Sequence, residues 1–295
     1  MFFSSAKTSA PNIPGRPGDF EIMRSFLIDG TPYYVTGNGN LYTDELETKL
    51  HTFPTNAVKW STSRSAFFCA DGGSLIEWTF AGTETTHQVF TSGKLILITL
   101  TDDFALVRDE KMHFYAVSLH TFKPELVSER SHGKLLASVE NTVYFQSSDY
   151  SSILQFDIEN KKLTTFPLNE TYPNSIVSAD IYQGELYYLP NKSNVIKSIS
   201  ADSFALTPDS FDGYPIGFCF VPDSSDFIVA ACRELPQNQA YITLYYFNPE
   251  TQAVSILLTI PDIYYTTPGS FGIIADSSRF SCWITTCDRV FNGSF

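Results

Sequence analysis

An all-β fold is predicted by three observations on the 295-residue sequence. Short runs of Val, Ile, Leu, Phe and Tyr, about five to eight residues long, alternate with clusters of Gly, Asn, Asp, Ser and Pro, as strands and turns do. No stretch keeps a 3.6-residue apolar period over three turns, so no amphipathic helix is expected. The third observation is a repeat. Alternating apolar runs that end in a polar turn carry Tyr42, Trp78, Tyr115, Phe156, Ser198, Phe247 and Phe291, spaced by 36, 37, 41, 42, 49 and 44 residues. A period near 40 with several strands per unit is the signature of a β-propeller. The expected fold is therefore a seven-bladed β-propeller of four-stranded antiparallel blades, ring-shaped and closed by an N-terminal strand. A β-sandwich would leave seven anchors at a common spacing unexplained.

The elements follow in order. Residues 1–18 are rich in Ser, Pro and Gly and read as an extended arm, with one propeller domain over 19–295. Strands of the second unit are expected over 57–62, 65–70, 74–80 and 86–92, and of the fourth over 134–140, 141–147, 152–158 and 161–167. Those of the sixth fall over 215–221, 226–232, 241–247 and 253–260. First strands are the most apolar and are expected to be buried on both faces. Outer strands alternate, as at a solvent-facing edge. The last unit has runs over 270–276, 279–285 and 289–294 and lacks a fourth. The strand-like Asp19–Met23 is expected to pair with Arg289–Ser294 and close the ring, removing two exposed edges.

Composition bounds the function. A hydrophobic fraction of 43% builds a core and excludes a disordered chain. A net charge of −13 argues against a nucleic-acid backbone or an anionic membrane as main partner. The apolar stretch Leu95–Leu100 is far short of the roughly 18–20 residues of a spanning helix. The first twenty residues show no signal-peptide pattern, so a cytoplasmic protein is expected. Cys69, Cys219, Cys232, Cys282 and Cys287 are odd in number without CxxC spacing, and read as buried free thiols. The sequons at Asn169, Asn191 and Asn292 are expected to be chance matches.

The second unit resembles a WD-repeat. Val58-Lys59-Trp60, then Ser65 to Gly73 with its Asp71-Gly72 turn, then Leu75-Ile76-Glu77-Trp78 follow that family's order of inner strand, second strand, turn and third-strand Trp. Phe220 to Ala231 looks like the family's apolar–Pro–Asp turn leading into an apolar strand. No Gly-His dipeptide opens a blade and no Trp-Asp ends a third strand, so the family's His–Asp–Ser–Trp network has no counterpart positions. Units four and six also look like kelch-type blades. The resemblance is to a degenerate WD-like propeller, and it implies a non-enzymatic organiser of protein complexes.

Chemistry is sparse by comparison. There is no GxSxG elbow, Walker loop or GxGxxG, and Gly37–Asn40 reads as a hairpin turn. His51, His87, His113, His120 and His132 form no HxH or HExxH, while Asp102-Asp103 and Asp109-Glu110 read as solvated turns rather than a calcium site. No catalytic, cofactor-binding or metal-binding residue is assigned, and no cofactor is expected. What remains is the face on which each blade's second–third loop opens. Arg108, Arg233, Tyr264 and Tyr265 are the candidate partner-binding residues, because Arg and Tyr in exposed loops favour interface hot spots. The expected function is an intracellular scaffold or adaptor subunit that binds other proteins, without membrane insertion. The alternative is a propeller hydrolase or a carbohydrate-binding protein with its site at the channel mouth.

Overall fold

A computed structural model describes residues 22–43, 48–129, 132–168, 175–200, 202–206, 211–236, 239–264, 271–284 and 289–294. Every element among them is a strand, and the strands form seven antiparallel sheets in chain order. The first sheet comprises β1 (Ile22–Ile28), β2 (Thr31–Thr36), β3 (Asn40–Tyr42) and β4 (Lys49–Thr52). The second comprises β5 (Lys59–Ser61), β6 (Ala66–Asp71), β7 (Ser74–Thr79) and β8 (Glu84–Gln88). β9 (Ile96–Leu100), β10 (Phe104–Arg108), β11 (Phe114–Ser118) and β12 (Pro124–Ser128) make the third. β13 (Lys134–Val139), β14 (Thr142–Gln146), β15 (Ser152–Asp157) and β16 (Lys162–Pro167) make the fourth. The fifth holds β17 (Ile176–Tyr182), β18 (Glu185–Pro190), β19 (Val195–Ser198) and β20 (Phe204–Ala205). The sixth holds β21 (Tyr214–Phe220), β22 (Phe227–Glu234), β23 (Gln239–Asn248) and β24 (Ala253–Tyr264). The last sheet has three strands among the described residues, β25 (Phe271–Ala275), β26 (Arg279–Ile284) and β27 (Arg289–Ser294). All seven anchor residues of the repeat lie on the third strand of their sheet.

Contacts divide the chain into two compact units, residues 38–40 with 51–171, and residues 1–37 and 41–50 with 172–295. Within the first of these, Leu106, Phe114 and Ala116 of the third sheet pack on Val143, Phe145 and Phe156 of the fourth. Within the second, Phe218 and Phe220 pack on Tyr187 and Leu189, and Ile228 and Cys232 pack on Phe280 and Cys282. Sheet-on-sheet packing is what a blade needs, since each sheet presents two apolar faces and cannot bury either alone.

First strands differ in burial: β21 is buried over Pro215–Phe220, as expected of an inner strand, but in the fourth, fifth and last sheets burial peaks on the second strand. β22 is buried over Phe227–Cys232 and β6 over Ala66–Cys69, whereas β13 and β25 have no fully buried residue. The second strand has a strand on either side and a sheet on either face. The first ends its sheet, so one edge stays open. Outer strands alternate as expected, β16 switching between exposed and half-buried from Leu163 to Pro167.

The first strands share a device. β1, β9, β13, β17 and β21 each break register with their partner near the N-terminal end, at Met23, Ile98, Leu136, Val177 and Ile216. A bulge there sharpens the twist and turns the following side chains toward the neighbouring sheet. Thr99 Oγ1 and Ser138 Oγ lie 3.1 Å apart across 39 residues, and Ser138 also donates to the Leu100 carbonyl at 3.2 Å. Forty residues further on, Ser178 Oγ donates to the Phe218 carbonyl and accepts the Phe218 amide, both at 3.2 Å.

The N-terminal strand contributes differently from the expected pairing. Ile22 and Met23 open β1, which is hydrogen-bonded to β2, and residues 19–21 lie outside the described residues. β1 meets the C-terminal sheet by packing: Ser25 Oγ lies 3.2 Å from Ser281 Oγ, and Arg279 donates to the Gly30 carbonyl at 3.1 Å. Cys69, Cys219, Cys232 and Cys282 are buried free thiols, while Cys287 lies outside the described residues.

Candidate interaction face

The loops at 37–39, 72–73, 109–113, 147–151 and 191–194, and the segment that leaves β22 at 235–236, all follow a second strand and precede a third, as expected. The connections between sheets run against these loops. Phe90 donates its amide to the Gly73 carbonyl at 2.9 Å, Leu95 to Gly72 at 2.7 Å, and Leu168 to Ser151 at 2.8 Å. In the other unit Asn191 donates to Ser175 at 2.9 Å and Leu206 to Asn194 at 2.7 Å. Two glycines make the approach possible. Gly133 (φ +104°) and Gly213 (φ +116°) precede β13 and β21, where a Cβ would run into the carbonyl oxygens of Gln146 and Cys232. The loops are therefore held by main-chain bonds on a stiff base.

Each unit carries a cleft at this end. One, of about 460 Å³, is lined by Lys192, Gly213, Tyr214, Cys232, Arg233 and Glu234. Arg233 is not a free donor there: its guanidinium pairs with Asp212, which also accepts the Tyr241 hydroxyl. The Tyr241 hydroxyl first, and Arg233 second, hold the Asp212 carboxyl below its usual range. Tyr214 donates to Glu234 at 2.8 Å. Burial pushes the Cys232 thiol up, so it is a poor nucleophile.

The other cleft, of about 280 Å³, is lined by Phe90, Ser92, Gly93, Lys94, Leu95, Asp109, Glu110, Lys111 and Tyr115. Asp109 organises its loop, accepting the Lys111 amide at 2.9 Å and the His113 amide at 2.8 Å. Burial alone would raise its pKa. The His113 amide and imidazole, with the Lys111 amide and the Tyr115 hydroxyl, outweigh this and lower it.

Arg108 and Arg233 were expected in loops and stand instead at strand ends, Arg108 opposite Phe114 and Arg233 opposite Tyr241. Tyr264 was expected after a turn. It closes β24, which continues through Pro261 to pair Tyr264 with Gln239, as an edge strand permits. Tyr265 lies outside the described residues. Arg108 and Arg233 belong to different units and lie on the same kind of loop end.

His132, read from the sequence only as one of five histidines outside any ligand motif, is a buried residue of this end. It is 7% exposed, with its ring 5.3–5.6 Å from those of Phe114, Phe145 and Phe156. Burial pushes its pKa down, so the imidazole is neutral at pH 7. Only the adjoining Gly133 hinted that this connection is buried. Among the described residues no three His, Cys, Asp or Glu side chains gather into a group that could hold a metal ion. Among the same residues no helix is long and apolar enough to cross a membrane.

Sheets of this kind in this order define a seven-bladed β-propeller, and solved structures agree. YCF48 from Cyanidioschyzon merolae aligns with a TM-score of 0.60 at 11% identity, over 99% of this chain and 98% of that one. BBS1N, solved in complex with ARL6DN, aligns at 0.56 and 9% identity, over 99% and 96%. BamB from Moraxella catarrhalis aligns at 0.51 and 12%, over 92% and 95%. Identities this low show the fold alone. No family model matches the chain, a WD-repeat model included, and no curated protein matches it.

Proposed function

We propose that this propeller is a protein-interaction module, a scaffold or adaptor subunit of a cytoplasmic complex that binds through the second–third loop end of its blades. The observation that carries this is a set of large apolar side chains that reach solvent together at this end, apart from Phe80, Leu126, Leu163 and Ile256, which are exposed singly at other turns and on outer strands. Met112 (40% exposed), Tyr150 (39%) and Leu235 (40%) sit in or beside these loops, and Ile96 (38%) begins a strand at the same end. Exposed apolar groups on stiff, main-chain-bonded loops suit a partner surface, because little ordering entropy is lost on binding. BBS1N, of similar fold, was solved bound to another protein, which is consistent with this reading.

No single loop covers the roughly 800 Å² per partner of a standard interface, so several blades must contribute. The test is replacement of Arg108, Arg233, Tyr264 and Tyr265 by Ala, singly and together, followed by affinity capture from the native cell. The expected result is normal folding with reduced capture of the same partners. Undiminished capture by the fourfold variant would place binding elsewhere on the molecule, and loss of turnover of a small substrate would favour the enzyme reading.

A further inference from the structure

We propose that the seam between the third and fourth sheets, at its loop end, is a carboxylate-binding site in which Arg108 and His132 receive an acidic side chain of a protein partner. This deepens the interaction-face reading and rests on it.

Register places the two residues together. Arg108 is directly opposite Phe114 on the neighbouring strand, so the two side chains leave the same face of the sheet. Phe114 on that face packs against the fourth sheet, with its ring 5.3 Å from that of His132. Arg108 and His132 thus flank one phenylalanine in one seam. Gly133, in close main-chain contact with Gln146, fixes where the imidazole sits.

Both residues carry an unmet hydrogen-bonding group. The Nε of Arg108 and the Nε2 of His132 are shielded from solvent and have no hydrogen-bond partner. Three other arginines have such a partner: Arg64 is bound to Glu77, Arg233 to Asp212, and Arg279 to the Gly30 carbonyl. In a chain of net charge −13 carboxylates are plentiful, yet among the described residues none is hydrogen-bonded to the Arg108 Nε. The nearest in sequence, Asp109, is committed to Lys111, His113 and Tyr115. An unsatisfied buried donor costs stability, and its retention on two adjoining residues points to an acceptor that arrives from outside.

The acceptor's chemistry follows from the donors. A guanidinium Nε–H and one N–H of a neutral imidazole, beside phenylalanine rings, suit a planar singly charged acceptor. A phosphate dianion would bring further oxygens without donors for them. The surroundings favour a side chain over a free anion. Ile96, opposite Arg108 on β9, and Met112 in the next loop are both exposed and can take apolar neighbours of the acidic residue.

The test uses Arg108→Met and His132→Phe on the full chain, with Arg108→Lys as a charge-retaining control. Random twelve-residue peptides are first selected by display against the parent protein. The selected peptides are expected to carry Asp or Glu beside apolar residues. Their affinity should fall at least tenfold in all three variants, and equally when the peptide's acid becomes an amide. In the absence of peptide, Arg108→Met and His132→Phe should unfold at an unchanged or higher denaturant midpoint, because each removes an orphaned polar atom. A lower midpoint in either would assign the groups to the fold and overturn the site. So would peptides that bind the variants and the parent alike, or competition by inorganic phosphate far stronger than by acetate. If such peptides lose affinity on replacing Arg233 or Tyr264 instead, the face stands and this site falls. If none of these replacements matters, both fall.

Discussion

Asp180 shows how a single side chain can set the pH response of a blade junction. Its carboxylate accepts the Phe220 amide at 2.8 Å and the Ile181 amide at 2.9 Å, joining β17 to β21. Burial outweighs these two bonds and raises its pKa to about 6 from the ordinary 3.8. A carboxyl raised in the folded state binds its proton more tightly there than in the unfolded chain. Its stabilising contribution is complete below about pH 4 and is lost as pH rises through about 6. The difference of two pKa units corresponds to at most about 3 kcal/mol. Asp180→Asn should therefore remove a loss of stability that the parent shows between pH 4 and 7. Urea unfolding of both proteins across that range would check it, and parallel curves would show that Asp180 ionises freely in the fold.

At the scale of elements, the second sheet is tied together by a charge network. Glu77 on β7 is buried, with Arg64 bound at 3.0 Å and His87 at 2.7 Å. The His87 ring stacks 3.4 Å from Phe122 of the third sheet, and the Arg64 guanidinium lies 5.9 Å above the same ring. The β5–β6 turn, β7 and β8 thus meet on one carboxylate, and Phe122 of the β11–β12 turn packs on its two partners. Removing the centre of such a network leaves Arg64 without its counter-charge and His87 without its hydrogen-bond partner in a half-dry setting. Glu77→Ala is expected to cost about 2–4 kcal/mol, below the largest values for buried pairs because Arg64 keeps solvent contact. Chemical denaturation measures this, and a cost under about 0.5 kcal/mol would reduce the network to a surface ornament. Phe247, 1% exposed among Phe211, Phe227 and Tyr245, should cost about 3–5 kcal/mol as Ala by leaving a cavity.

For the molecule as a whole, the first strand joins sequence-distant parts. β1 pairs with β2 over six positions, buries Ile22 completely and packs on β25 and β26, some 250 residues away. Tyr34 of β2 adds a hydrogen bond to Asn292 at 2.7 Å. Deleting residues 1–24 removes the start of β1 and uncovers apolar surface of the last sheet. The melting temperature is expected to fall by at least about 5 °C, with association of the truncated chain, as thermal unfolding and light scattering would show. A monomer of unchanged stability would mean that the end of β1 contributes nothing to this packing.

The strands were legible in the sequence because a half-buried sheet imposes a local period. The expected 134–140 and 253–260 became Lys134–Val139 and Ala253–Tyr264, and Tyr42, Trp78 and Phe247 all fell on third strands. The loop order followed, since the repeat dictates which turns share an end. Burial depth did not. Lys134 to Val139 reads as a largely apolar strand, as Phe227 to Cys232 does, yet only the latter has a strand on both sides. The site was likewise beyond local pattern. Arg233 has the same residue type and setting in sequence as Arg108, but a partner 21 residues away, Asp212, binds one, while the Nε of the other has no partner among the described residues. Sequence alone determined an all-β repeat with its turns in order, because backbone period and turn chemistry are nearest-neighbour properties. Which polar groups are met, and which are held ready, only the tertiary structure decided, because hydrogen-bond partners are chosen by packing between strands that the chain brings together from far apart.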